Sequence, residues 1–368
     1  MEFKCDLNNL KTIANNVSLA INLKSTTIPI LEGILLECSN NELKLTGYDL
    51  SLGIIKTLKV DQKQEGKIVL KAQLLVEILR KLDGETVEFK TDKKLITTIK
   101  SETTEYKIAS IKAENYPKIP EINNENKILI KDKILKDAIF KTLFAVSINT
   151  TQNPILCGSL FTIEKNKLTL VSVDGYRVAI SNSKIENETI NENFVISSKT
   201  LNEILKLLND DENSITTIEI GKTHVTFKIN EYYVITRLLQ GSFLDYKSAI
   251  PKTYKTQIEI NPKILEFSLL KVSVMVTQNI SVIMKILEDS LYIECESTLG
   301  KVEDILKPKI EGEVLEEIAF NNRFMLDALK HCQIEKIKVS FNGPIMPIKI
   351  EPPEGDEFLY LVLPVRLR

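Results

Sequence analysis

Only two histidines are available for proton transfer near neutral pH, and neither is placed for it. His224 lies in the strand-like run KTHVTFKI, and His331 ends the helical pattern RFMLDALKH. Neither has a cysteine or carboxylate neighbour at metal-ligand spacing, so structural or exposed roles are expected. Cys5, Cys38, Cys157, Cys295 and Cys332 are odd in number and form no CxxC pair. They are expected to be reduced and mostly buried rather than bridged or zinc-bound. The phosphate-cradling GxxxxGK[ST], the dinucleotide-binding GxGxxG and the nucleophile-elbow GxSxG patterns do not occur. Asp49 in GYDL and Asp174 in VDGYR read as turn formers. The acidic run EPPEGDE at 351–357 reads as an exposed loop, with metal binding a distant second. The expectation is a protein with no catalytic residue, no metal and no cofactor.

A chain without chemistry of its own must act through its scaffold. At 368 residues it exceeds one ordinary domain of roughly 100–150 residues, which predicts two or three units. Hydrophobic residues at 43% and charged residues at 27% suffice for a real core and exclude general disorder. Lys and Arg number 48 against 50 Asp and Glu, so the net charge of −2 gives no global attraction to phosphate backbones. Nucleic-acid binding would need a local basic surface or a topological device. Apolar runs such as 28–36 fall well short of the ~20 residues a membrane span needs, and MEFKCDL is not a secretion signal. A cytoplasmic protein with no membrane partner is expected.

A domain-sized repeat is present. ILIKDKIL at 128–135 returns as IEINPKIL at 258–265, with a fainter copy at 3–10. Apolar residues at helical spacing follow each: Leu10, Ile13, Val17 and Ile21, then Leu135, Ile139, Leu143 and Val146, then Leu265, Leu269 and Val272. A second helix recurs as QLLVEILRKL at 73–82, TLNEILKLL at 200–208 and RFMLDALKH at 323–331. Alternating strands precede it at 67–70, 193–196 and 316–320, and TVEFKT, TTIEIG or KIKVSF follow it. The predicted class is α+β: three repeated domains, each with two helices packed on antiparallel sheets. Polar stretches put the boundaries near 124 and 253, giving domains 1–124, 125–253 and 254–368.

IPILEGILLE at 28–37, VSVDGYRVAIS at 171–181, FLDYKSAIP at 243–251 and LYLVLPVRL at 359–367 carry a resemblance over the whole length. With these segments the chain resembles the β sliding clamp family of bacterial DNA polymerase III, and DGYR combined with a terminal LPVRL is highly specific. The resemblance implies the DNA clamp fold, with a head-to-tail homodimer whose six domains form a ring around duplex DNA. It implies a processivity factor rather than an enzyme. Its partners would be DNA, the replicative polymerase, the clamp loader and other proteins with a clamp-binding motif.

Lys11, Lys71, Arg80, Lys81, Lys136, Lys141, Lys199, Lys206, Lys263, Lys271, Arg323 and Lys330 lie in or beside the repeated helices. By themselves they read as solvated helix faces. The resemblance turns them toward phosphates, in contacts that position without reading bases. It makes Lys24, in LKSTTIP, and Lys199 the leading DNA-binding candidates, joined by Arg80 and Lys206.

The family's clients dock a short motif, with a Gln and a terminal Leu-Phe-like pair, between the middle and last domains. Carried over residue by residue, the middle-domain side is Leu156, Val173, Gly175, Tyr176, Arg177, Val178 and Leu244. The last-domain side is Pro347 with the run Leu361, Val362, Leu363, Pro364, Val365 and Arg366. Branched apolar side chains suit aliphatic and aromatic anchors, and Arg177 with the backbone at Gly175 is expected to orient the peptide. Without the resemblance, Leu156, Val173, Val178 and LYLVL read as core, Gly175 as a turn glycine, and Tyr176 and Arg177 as an ordinary exposed pair. Apolar residues that reach the penultimate position of LPVRLR fit that reading less well, because chain ends fray unless docked.

The chain departs from the family at Asn153 and Ser248, where Arg is usual, and at Leu244, where Pro is usual. Lys247 lacks the planar fork that would replace a lost Arg. Altered client preference is expected, which leaves open a clamp paralogue devoted to repair or to a mobile element. The reading from another class is a hydrolase or nuclease whose site is assembled from scattered residues.

Overall fold

The computed structural model describes residues 1–21, 28–120, 122, 127–149, 151, 153–187, 190–276, 281–298 and 300–366. Among them are six α-helices: α1 (Leu7–Ser18), α2 (Ala72–Lys81), α3 (Asp132–Leu143), α4 (Ser198–Leu207), α5 (Pro262–Val272) and α6 (Asn322–Lys330). Each copy of the repeat opens as its pattern predicts. The strands Glu2–Asp6, Lys127–Lys131 and Thr256–Ile260 run into α1, α3 and α5. Side-chain caps fix several starts, since Asp6 accepts from the Asn9 N–H at 2.7 Å and Asn321 from the Arg323 N–H at 3.0 Å. The strands expected before the second helices are Gly66–Lys71, Glu192–Ser197 and Leu315–Phe320.

By its internal contacts the chain forms two compact units, residues 1–133 with 202–238, and 134–201 with 239–368. The middle copy of the repeat is thus shared between them. Strand pairing explains the sharing, because a continuous ladder ties adjacent copies together more closely than the chain itself does.

In the first unit a five-stranded sheet ends on Thr104–Ala109, which pairs with Ile96–Ser101. Its nine-stranded sheet joins Leu52–Lys59 of the first copy to Tyr232–Arg237 of the middle copy, antiparallel, with Ile54 opposite Val234. The second unit repeats this plan. Its nine-stranded sheet joins Arg177–Lys184 of the middle copy to Phe358–Val362 of the last, with Ala179 opposite Tyr360. Its four-stranded sheet ends on Gly300–Leu306, which pairs with Leu291–Ser297.

The helices bury the predicted apolar stripes. Leu265, Leu269 and Val272 of α5 pack with Met325, Ala328 and Leu329 of α6 over Phe358 and Tyr360. Full burial of each large side chain contributes about 1.5–3 kcal/mol. Cys5, Cys38, Cys295 and Cys332 are buried and Cys157 is half-buried, all as free thiols. Burial pushes the Cys5 and Cys332 thiols up to about 12, which leaves them unreactive at neutral pH. No described helix is long and apolar enough to cross a membrane.

Candidate functional site

Asp174 and Asp49 are turn formers, as their sequence contexts suggest. Asp174 Oδ1 accepts from the N–H groups of Tyr176 and Arg177, each at 3.0 Å. Asp49 Oδ1 accepts from Ser51 at 2.9 Å and Leu52 at 2.7 Å. Both turns carry a positive φ at the next residue, +90° at Gly175 and 72° at Leu50. Glycine adopts that conformation without steric cost, and a Cβ at 175 would meet nothing within 4 Å.

The Asp174 turn stands at the edge of an apolar cluster within the second unit. Leu156, Val173, Val178 and Leu361 pack there with Ile155, Tyr246 and the partly buried Phe243. Leu156 enters from the 3-10 turn Pro154–Cys157, Val173 ends one strand and Val178 lies near the start of the next. Above this floor large apolar groups stay in water: Tyr176 is 63% exposed and Leu363 38%, with Leu244 and Val365 also exposed. Pro347 and Pro364 are half-buried, Arg366 is exposed and Val362 is fully buried. The terminal run is anchored by its backbone. Leu363 N–H donates to the Tyr176 carbonyl at 2.9 Å, and Val365 N–H to the Ala319 carbonyl at 2.7 Å. An apolar floor with an exposed apolar rim on a fixed backbone can take a short extended peptide with large side chains.

Arg177 does not join that rim. Its side chain is buried, with Nε donating to Asp174 Oδ2 at 2.8 Å and Nη1 to Asp327 Oδ2 at 2.6 Å. The guanidinium lies over the Phe324 ring at 4.6 Å and the Phe144 ring at 5.5 Å. Asp174 and Asp327 thus hold two of the five N–H donors of Arg177 inside the protein. Nothing in the sequence pairs Asp327 with Arg177, 150 residues away.

His331 belongs to the same layer. Its Nδ1 donates to the Asp327 carbonyl at 2.6 Å and its ring stacks on Phe144 at 4.4 Å. Burial holds its imidazole below the usual value, and burial also lowers His224. Above about pH 6.5 the imidazole is neutral in folded and unfolded chains alike. Below it the unfolded chain binds a proton that the folded chain refuses, so stability falls as pH falls. Thermal unfolding followed from pH 7 to 5 should show that decline, and His331→Gln should flatten part of it. An unchanged slope in the variant would refute the assignment.

Among the DNA candidates, Lys24 lies outside the described residues. Arg80, Lys199 and Lys206 are exposed on α2 and α4. Arg80, Lys206 and Lys330 each follow a buried residue by two positions, Ile78, Ile204 and Ala328, so one cation recurs in all three second helices. Lys206 also pairs with Glu203 at 2.7 Å. Three of the wider set have internal partners, among them Lys271, which donates to Asp304 at 2.9 Å. Lys11 donates to the Leu82 carbonyl at 2.7 Å, and the mostly buried Lys141 pairs with Asp137 at 2.7 Å.

Comparison with known proteins now bears on the whole chain. Residues 1–120, 129–245 and 247–366 match the N-terminal, central and C-terminal domain models of the DNA polymerase III beta subunit. The chain belongs to the DNA polymerase III beta subunit family. It is 33% identical to the beta sliding clamp of Bacillus subtilis over 380 residues, covering 100% of both chains. It is 30% identical to that of Staphylococcus epidermidis, covering 93% of each. Its fold matches the crystal structure of the Bacillus subtilis DNA polymerase sliding clamp with a TM-score of 0.96, and that of a putative DNA polymerase III beta subunit from Eubacterium rectale with 0.96 at 30% identity, each over 100% of both chains. Family membership fits the turn, the docked terminus and the repeated helices described above.

Proposed function

We propose that the protein is a DNA polymerase processivity factor, a sliding clamp that encircles duplex DNA as a head-to-tail homodimer and performs no chemistry itself. The observation that carries this reading is a pairing rule. Twice within the chain, the strand that follows the Asp-turn position of one copy pairs antiparallel with the last long strand of the next: Leu52–Lys59 with Tyr232–Arg237, and Arg177–Lys184 with Phe358–Val362. The two strands left over by that rule, Gly300–Leu306 of the last copy and Thr104–Ala109 of the first, are sheet edges among the described residues. Exposed edges invite pairing with another chain. Two copies that pair these edges reciprocally close a ring of six repeats, for which domains 1–124, 125–253 and 254–368 are the natural division.

A closed ring explains how a chain of net charge −2 can hold DNA. Retention is topological, and cations such as Arg80, Lys199, Lys206 and Lys24 need only keep the duplex centred through sequence-independent contacts. The polymerase, the clamp loader and other motif-bearing proteins would dock a short peptide over the cluster of Leu156, Val173, Val178 and Leu361. A factor that acts on chromosomal DNA belongs in the bacterial cytoplasm. Asn153, Leu244 and Ser248 support a second reading, a clamp of altered client preference serving repair or a mobile element.

The test is topological. Protein placed on a nicked circular plasmid by a clamp loader should survive salt that strips ionic binders, and should be released by one linearising cut. Loss from the intact circle at that salt concentration would refute encirclement.

A further inference from the structure

We propose that Asp327 is a positioning residue for client peptides: from α6 it holds the Arg177 side chain, and through it the turn and terminal strand that present the exposed rim. The inference rests on the peptide-docking reading above and extends it to a residue that no rim contact requires.

Arg177 has two carboxylate partners with different roles. Asp174 lies in the turn itself and binds the Arg177 backbone N–H at 3.0 Å as well as Nε at 2.8 Å. Asp327 comes from α6 and binds Nη1 at 2.6 Å, so it ties the turn to a rigid helix. Two rings pack on the guanidinium. Phe324 carries Arg177 and also stacks on Tyr176, with centroids 5.9 Å apart, while Phe144 contacts both Arg177 and His331. The turn then passes its position on, because the Tyr176 carbonyl accepts from Leu363 N–H at 2.9 Å. Tyr176 and Leu363, the two exposed groups on opposite sides of this hydrogen bond, therefore depend on one buried arginine.

With the Asp327 charge gone, Asp174 is the one carboxylate left on Arg177, so a shift of the guanidinium toward Asp174 and away from α6 is the expected response. Asp327→Asn keeps the side-chain shape and removes that charge. A Gln-containing peptide ending in Leu-Phe should bind this variant about tenfold more weakly than the wild type, the size of effect typical of residues that act through a neighbour. Asp327→Glu, which restores the charge, should recover most of the loss. Hydrogen exchange supplies a readout that does not need the peptide. The amides of Arg177 and Leu363 should exchange faster in Asp327→Asn, while the buried amides of α5 and α6 should not.

Unchanged peptide affinity together with unchanged exchange at Arg177 and Leu363 would overturn the proposal. So would a uniform acceleration across α5 and α6, which would mark Asp327 as an ordinary stabilising residue. Should the wild type fail to bind the peptide, the docking reading falls, and local exchange alone decides whether Asp327 positions the turn.

Discussion

Val274→Asp is expected to leave the fold intact and convert the dimer to a monomer. Val274 is 74% exposed just beyond α5, so an aspartate there costs the isolated chain little. Its counterpart, 130 residues earlier in the repeat, is Phe144, which packs edge-on against Tyr360 at 5.3 Å on the last strand of the following copy. Lys141, the counterpart of Lys271, lies 6.0 Å from the Phe358 ring on the same strand. Among the described residues no strand packs on Val274 in this way, and Gly300–Leu306 is a sheet edge. Ile264, Phe267 and Leu270 of α5 also remain in water, whereas α1 exposes Asn8, Asn9, Thr12 and Asn15. An apolar helix face beside an unpaired sheet edge marks a protein interface.

Burying a carboxylate without a partner costs roughly 2–4 kcal/mol at each of two equivalent interfaces. The dimer dissociation constant should therefore rise by roughly three to six orders of magnitude. Sedimentation equilibrium at micromolar concentration should show a dimer for the wild type and a monomer for Val274→Asp, with matching circular dichroism. A wild-type monomer, or a variant that still dimerises fully, would show that the ring does not close through Gly300–Leu306 and Thr104–Ala109.

Leu363→Asp should abolish client binding. Leu363 is exposed, while its backbone is fixed by the hydrogen bond to Tyr176, so the change alters the rim and not its support. In a peptide site most of the binding energy comes from a few apolar anchors, and loss of one costs about 2–4 kcal/mol. A fluorescence titration with the Gln-containing Leu-Phe peptide should give micromolar affinity for the wild type and a loss of roughly 30- to 1000-fold for the variant. Equal binding by both proteins would move the site elsewhere. No binding by the wild type would instead mark Asn153, Leu244 and Ser248 as signs of a diverged clamp.

Local patterns in the sequence reached far. Helical and strand periodicity, caps such as Asp6 and Asn321, and the Asp-x-x turns at 49 and 174 are set by neighbours in the chain, so the repeat and its elements are legible without coordinates. The motifs DGYR and LPVRL identified the family for the same reason, each being a short contiguous segment. Contacts between distant residues were not legible. The burial of Arg177 between Asp174, Asp327, Phe144 and Phe324 joins three separate segments, and read along the chain Arg177 is only an exposed-looking neighbour of Tyr176. Lys11 reads like any other helix cation until tertiary packing brings its ammonium to the Leu82 carbonyl, whereas the Asp137–Lys141 pair is a local i,i+4 contact within α3. The sequence by itself determined what the elements are and how often they recur, because short-range sterics and hydrophobic spacing decide that. Which strands pair across copies, and which edges remain open for a second chain, depends on how whole sheets meet, and only the tertiary structure decided it.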